Sequence, residues 1–172
     1  MLATTHIAFG TASSLLTAAW LDASAPQTVL MVAGGVLGSM LPDIDHPKSA
    51  FGRRVRPVST MLCAAFGHRG LTHSLIAVVG MSALARYSLR HLDWHPGYSV
   101  PFVVGLSAGY LSHLAGDWMS NSGVPLLWPS RRRFVAPLRI FTGDYRERLL
   151  ALVVSGWIVV HCLPNCAAVL RL

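Results

Sequence analysis

Apolar positions gather into five stretches along the chain: Leu2 to Leu21, Gln27 to Leu41, Leu71 to Leu89, Ser99 to Trp118 and Leu149 to Leu163. Three of them approach the roughly 20 residues that a membrane-spanning helix needs. The second and fifth are nearer 15 residues, so as spans they would have to tilt, borrow flanking residues or insert only in part. The pattern predicts an all-α, polytopic helical membrane protein with four to five transmembrane helices, folded as a single membrane-embedded domain over residues 1–172. Breakers separate the stretches: Pro42 and Pro47 close the second, Pro57 interrupts the segment after it, and Pro125, Pro129 and Pro137 punctuate the last connection. Met61 to Phe66 reads as a short buried or interfacial helix, and the chain shows no internal repeat.

Composition supports this reading. The chain is 53% hydrophobic and only 12% charged, where an ordinary soluble domain is roughly 25% charged, and that deficit argues against a soluble globular protein. The first stretch ends in Ala23-Ser24-Ala25, a pattern like that of a signal-peptide cleavage site, but no Lys or Arg precedes it. It is therefore read as a retained helix. Cys63, Cys162 and Cys166 form no C-x-x-C pair and are odd in number, which indicates neither a disulfide framework nor a cysteine zinc site.

The formal charge of +7 is concentrated in two places. Lys48, Arg53, Arg54, Arg56 and Arg69 lie between the second and third stretches, and Arg131, Arg132, Arg133, Arg139, Arg146 and Arg148 between the fourth and fifth, so eleven of the fourteen cations sit in two connections. Positive charge collects in cytoplasmic loops near anionic lipid, which puts the N-terminus and both basic loops on the cytoplasmic side.

That topology brings together an unusual set of ionisable groups. His6 begins the first stretch, and Asp43, Asp45 and His46 close the second. His68 and His73 open the third, and His113 and Asp117 end the fourth. All eight fall at the cytoplasmic helix ends, although the arginine count that set the topology used none of them. Imidazole and carboxylate donors on several rigid elements are what a first-row metal ion requires. His113 and Asp117, four apart, share one helical face. Eight candidates oversupply one zinc, so the set predicts either two ions about 3.5–4 Å apart or one ion with the remaining groups as general base and outer support. Zinc is the first expectation, with manganese or iron as alternatives. Arg69, between two of the histidines, suits a phosphate or carboxylate oxygen, and equally a lipid headgroup. His91, His95 and His161 fall outside the cluster. Thr72, Ser74 and Ser112 lack a Gly-x-Ser-x-Gly elbow, which argues against serine hydrolysis.

The motifs resemble those of the YdjM-like inner-membrane proteins, a family described as membrane-bound, metal-dependent hydrolases and also as LexA-binding. The matching residues are His6 with Gly10, the run Leu41-Pro42-Asp43-Ile44-Asp45-His46-Pro47-Lys48-Ser49, and Phe66-Gly67-His68-Arg69-Gly70 with Thr72-His73-Ser74. Gly109-Tyr110-Leu111-Ser112-His113 with Asp117, and Gly123 to Pro129, complete the set. The resemblance implies a bacterial inner-membrane protein, multi-pass with a cytoplasmic N-terminus, and a hydrolase holding its metal on these residues. It also implies a LexA-type regulator as a partner.

The first expectation is thus a hydrolase acting at the cytoplasmic leaflet through a metal-activated water, on a lipid or lipid-linked phosphoester. Its expected ligands are Asp45, His46, His68, His113 and Asp117, with His6, Asp43 and His73 as further ligands or support. Asp43 or His73 would take the proton, and Arg69 would steady an anionic headgroup. The rivals are a metal-handling transporter and a membrane-tethered protein that binds a cytoplasmic regulator. Nucleic acid is not expected as a partner, because the arginine triplet after Trp128-Pro129 is most simply a topology anchor.

Overall fold

A computed structural model describes residues 1–67, 69–130 and 132–169. The five apolar stretches appear as helices α1 (Ala3–Trp20), α2 (Ala25–Gly38), α4 (Leu75–His91), α5 (Pro96–Met119) and α6 (Tyr145–Val169). A shorter helix, α3 (Arg56–Phe66), and two 3-10 turns, Pro42–Asp45 and Leu71–His73, complete the described elements. Local chemistry accounts for several of the boundaries. Ser24 and Gln27 form a capping box at the start of α2, with Pro26 in its first turn. The Ser74 hydroxyl accepts the Ala77 N–H to open α4, and His95 Nδ1 accepts the Gly97 N–H to open α5. Pro57, expected to interrupt its segment, instead sits in the first turn of α3, where its missing N–H costs nothing, so α3 starts five residues before the expected Met61.

The bundle is organised on α5. Helix α2 lies along it, α1 packs on both, α4 covers another side of α5, and α6 lies on α1. Glycine permits the close approach. A Cβ on Gly34 or Gly38 would collide with backbone of Phe102 or Leu106, and a Cβ on Gly105 or Gly109 with backbone of Met31 or Gly35. Gly34/Gly38 and Gly105/Gly109 are each four apart, so α2 and α5 meet through paired small-residue faces. Gly10 and Ser14 of α1 approach Gly35 in the same way. On the other side of α5 apolar packing, with Val78, Met81 and Ala85 of α4 in the cluster of Leu106, Tyr110 and Leu114, is joined by polar contacts, Ser82 Oγ 2.7 Å from Ser107 Oγ and Arg86 donating to Ser99 Oγ at 2.8 Å.

Burial is mixed: an apolar core of Leu41, Val78, Leu106, Tyr110 and Leu114 lies beside a polar interior. Thr5, His6, Ser14, Ser39, Asp45, His73, Ser99, His113, Asp117 and Glu147 are buried, while Trp20, Val29, Val79, Tyr87, Leu92, Leu152 and Val160 are among many large apolar side chains left exposed. An apolar exterior of this extent is in keeping with a membrane-associated protein. It does not make four or five spans. Among the described residues one stretch, Ala25–Asp45, is long and apolar enough to cross a membrane by length and composition. The expected polytopic fold is corrected accordingly, and the multi-pass inner-membrane placement with a cytoplasmic N-terminus falls with it. The other helices carry hydroxyl, charged and small residues that lower their apolar character. Thr5, His6, Gly10 and Ser14 occupy α1, Ser82, Arg86 and Arg90 α4, Pro101, His113 and Asp117 α5, and Arg146, Glu147 and Arg148 the start of α6.

The α2–α5 contact yields a direct test. Replacing Gly109 by alanine should destabilise the protein by about 1–3 kcal/mol, the usual cost of overpacking. Gly80→Ala, on α4 with open space around it, should be neutral or slightly stabilising. Thermal unfolding of the detergent-purified variants separates the two.

Candidate metal centre

The side chains that converge come from four segments: the start of α1, the turn after α2, the turn before α4 and the last turns of α5. Proline ends α2 and leads into the 3-10 turn Pro42–Asp45, which presents Asp43 to the bundle. The turn Leu71–His73 does the same for His73. On α5, His113 and Asp117 lie one above the other.

Four donor atoms lie close together. His73 Nε2 is 3.5 Å from Asp117 Oδ2, His113 Nε2 is 3.8 Å from the same oxygen, and both nitrogens are 3.9 Å from Asp43 Oδ1. Ligands bound at about 2.0–2.2 Å to a four-coordinate ion stand about 3.3–3.6 Å apart, so this set is slightly wider than a closed metal cage. His6 joins from α1, with its ring stacked on His113 at 3.7 Å and its Nε2 3.4 Å from Asp117 Oδ1. Two overlapping groups of donors result, His6/His113/Asp117 and Asp43/His73/His113, and each could hold a metal ion.

The histidine nitrogens are set by what lies behind them. His113 Nδ1 is 2.7 Å from the Ser39 carbonyl oxygen. A carbonyl only accepts, so Nδ1 carries the proton and the lone pair is on Nε2. That Nε2 is buried with no hydrogen-bond partner, the condition of a ligand atom facing a metal position. Burial first, and then the neighbouring His6 and His73, push the His113 pKa well below the ordinary imidazole value, with Asp117 opposing. The ring is therefore neutral and able to coordinate. His73 Nδ1 lies 3.4 Å from Asp45 Oδ2 and 3.1 Å from the Thr72 hydroxyl, the carboxylate–imidazole arrangement that orients metal-binding histidines.

Asp117 is the most heavily partnered carboxylate. It accepts from the Met1 α-amino group at 2.9 Å and from Arg69 Nη2 at 3.0 Å. Burial works to raise its pKa, yet the hydrogen bond from His6 and the positive charge around it hold the carboxyl far below the usual range.

The expected site residues thus separate by position. His6, Asp43, His73, His113 and Asp117 converge. Asp45 stands behind His73, accepting the Arg69 N–H at 3.0 Å and the Thr72 hydroxyl. His46 takes part in neither donor group, and its Nδ1 accepts the Lys48 N–H at 3.2 Å. His68 lies outside the described residues. Arg69 points its guanidinium at Asp117, with Ser120 Oγ and the Gly123 carbonyl each at 3.4 Å, and so supports a carboxylate of the protein itself. His91 contacts Tyr87, His95 caps α5 and His161 stacks on Trp157, all away from the centre.

Sequence reasoning missed Glu147. Fully buried at the start of α6, it accepts the Leu2 N–H at 2.5 Å and the Gly143 N–H at 2.6 Å. It thereby ties α6 to the first turn of α1, next to His6. The signal was available, since Glu147 is the only glutamate in the chain and heads an apolar stretch.

These observations define an all-α, membrane-associated protein built around a buried His/Asp cluster of metal-coordinating character. The chain belongs to the YdjM inner membrane protein family, whose model matches residues 1–170. It is 41% identical over 144 residues to the inner membrane protein YdjM of Escherichia coli strain K12, covering 81% of this chain and 71% of that protein. Similarity to the uncharacterized protein YvsG of Bacillus subtilis strain 168 is 35% over 162 residues, 94% of this chain and 92% of the relative. The E. coli inner membrane protein YbcI is 32% identical over 113 residues, 64% of this chain and 60% of its own. No solved structure matches the chain.

Glu147→Gln tests the tie between α1 and α6. An amide keeps one acceptor and sets a donor against a backbone N–H, so the variant should lose about 1–3 kcal/mol of stability. Hydrogen exchange should speed up first in the opening turns of α1 and α6.

Proposed function

We propose that this protein is a metal-dependent hydrolase whose ion sits among His73 Nε2, His113 Nε2, Asp43 Oδ1 and Asp117 Oδ2, with His6 alongside. The observation that carries this reading is the buried, unpartnered His113 Nε2, fixed as a lone pair by the Ser39 carbonyl and facing two carboxylates. Both donor groups include His113, and one imidazole nitrogen has one lone pair, so a single ion is favoured over two. A divalent ion held there supplies Lewis acidity and lowers the pKa of a bound water. Donors of this kind suit zinc, manganese or iron.

The protein's own groups divide the remaining work. Asp43 is the donor open to solvent, its side chain 25% exposed where the other convergent donors are buried. It lines a small cavity together with His6, Ser39, Met40, Ala50 and Phe51. Asp43 is therefore the group placed to accept a proton from incoming water. Asp45 and Thr72 hold the His73 ring, and Arg69 with Ser120 fixes the Asp117 carboxylate. The apolar exterior suits a lipid or lipid-linked phosphoester as substrate.

One observation favours a second reading. The donors are nearly sealed, and the cavity beside them is small, which suits a structural ion that pins four chain segments together.

Elemental analysis of the purified protein should find about one ion per chain, lost in His113→Ala and Asp117→Ala. Asp45→Asn should keep the ligands and weaken metal affinity by about 10- to 100-fold, as removal of an outer partner does elsewhere. Turnover of ester, phosphoester or lipid-linked phosphoester substrates that chelation abolishes supports the hydrolase. An ion that raises the melting temperature without turnover on that panel supports the structural reading, and absence of metal after reloading removes both.

A further inference from the structure

We propose that α3 and the basic segment before it, residues 46–66, form a docking element for an anionic membrane surface. The inference rests on the membrane-associated character of the chain and is independent of hydrolysis, so either can fail alone.

Charge is the first support. No acidic residue occurs between Asp45 and Asp93, while Lys48, Arg53, Arg54 and Arg56 fall within nine positions. All four of these cations are exposed. Packing is the second. The main partner of α3 is the turn Pro42–Asp45, and Ser59 is the buried residue on that side. Pro57, Val58, Met61 and Ala65 fall on one arc of the helix at spacings of three and four, and each is exposed, Met61 by 74% and Val58 by 50%. Arg56 and Thr60 flank that arc. A short helix with an outward apolar face and a collar of cations matches the physics of an interfacial helix, which sinks its apolar face to the acyl boundary while cations meet anionic headgroups. An acidic protein surface would satisfy the arginines but would leave the apolar arc unexplained.

The placement bears on the centre. Ala50 and Phe51, in the same segment, line the cavity over Asp43 and His6. Docking α3 on a bilayer brings that opening to the headgroup layer.

The test uses the full chain in nanodiscs, with an environment-sensitive fluorophore at Met61→Cys after replacement of Cys63, Cys162 and Cys166 by serine. Quenching by neutral acrylamide is compared in phosphatidylcholine and in an equal mixture with phosphatidylglycerol. The probe should be shielded in the anionic discs and accessible in the neutral ones. Combined Arg53→Gln, Arg54→Gln and Arg56→Gln should restore access, each arginine contributing about fivefold to the docking equilibrium, and high salt should do the same. An unchanged melting temperature serves as the folding control. Equal quenching in both lipids overturns the proposal, as does shielding that ignores the arginine replacements. Shielding by soluble polyglutamate but not by anionic discs would assign the surface to an acidic polypeptide instead.

Discussion

A carboxylate as deeply buried as Asp117 cannot stand uncompensated, because taking an ion out of water costs several kcal/mol even after relaxation. The fold meets that requirement by sending partners from separate parts of the chain: the Met1 amino group and His6 from the start of α1, and Arg69 from the turn before α4. Each partner also carries a structural obligation. Arg69 adopts a positive φ of 59°, and its own N–H goes to Asp45, so the backbone of that turn is shaped by the two carboxylates it serves. The local order of three chain segments follows from one buried negative charge.

Such convergence needs helices close enough for short side chains to meet, and glycine provides the room. Where Gly34, Gly38, Gly105 and Gly109 face one another, backbone lies against backbone, so the helix ends of α2 and α5 arrive together with Ser39 next to His113. Larger residues would hold the helices near the usual 8–10 Å separation and would take the Ser39 carbonyl away from the ring. Many large apolar side chains point outward around an interior that combines this polar centre with the apolar cluster of Leu106, Tyr110 and Leu114.

Much of this was legible in the residues. The apolar stretches mark the helices, and the i, i+4 spacing of His113 and Asp117 places both on one face whatever the neighbouring contacts. The Asp43–Asp45 pair was less readable. Two residues apart could mean shared direction, but a 3-10 turn advances about 120° per residue, so the two carboxylates diverge, one toward His113 and the other behind His73. Arg69 suits an outside anion on sequence grounds, and nothing in the sequence says that Asp117 will also reach it. The number of spans was misjudged for a related reason. Apolar length alone does not distinguish a helix facing lipid from one whose serines, glycines and histidines are spent on its neighbours.

The end of α2 acquires a meaning beyond chain reversal. In a helix that ran on through position 43, the Ser39 carbonyl would be taken by the N–H four residues later. Pro42 turns the chain into a 3-10 turn instead, and the carbonyl that helix termination releases is the one that accepts the hydrogen bond from His113 Nδ1–H. The choice of which imidazole nitrogen faces the centre is thus made by where a helix stops, in a segment that contributes Asp43 four residues after Ser39. Moving that stop by one residue would alter the chemistry of a side chain on another helix without touching any donor atom.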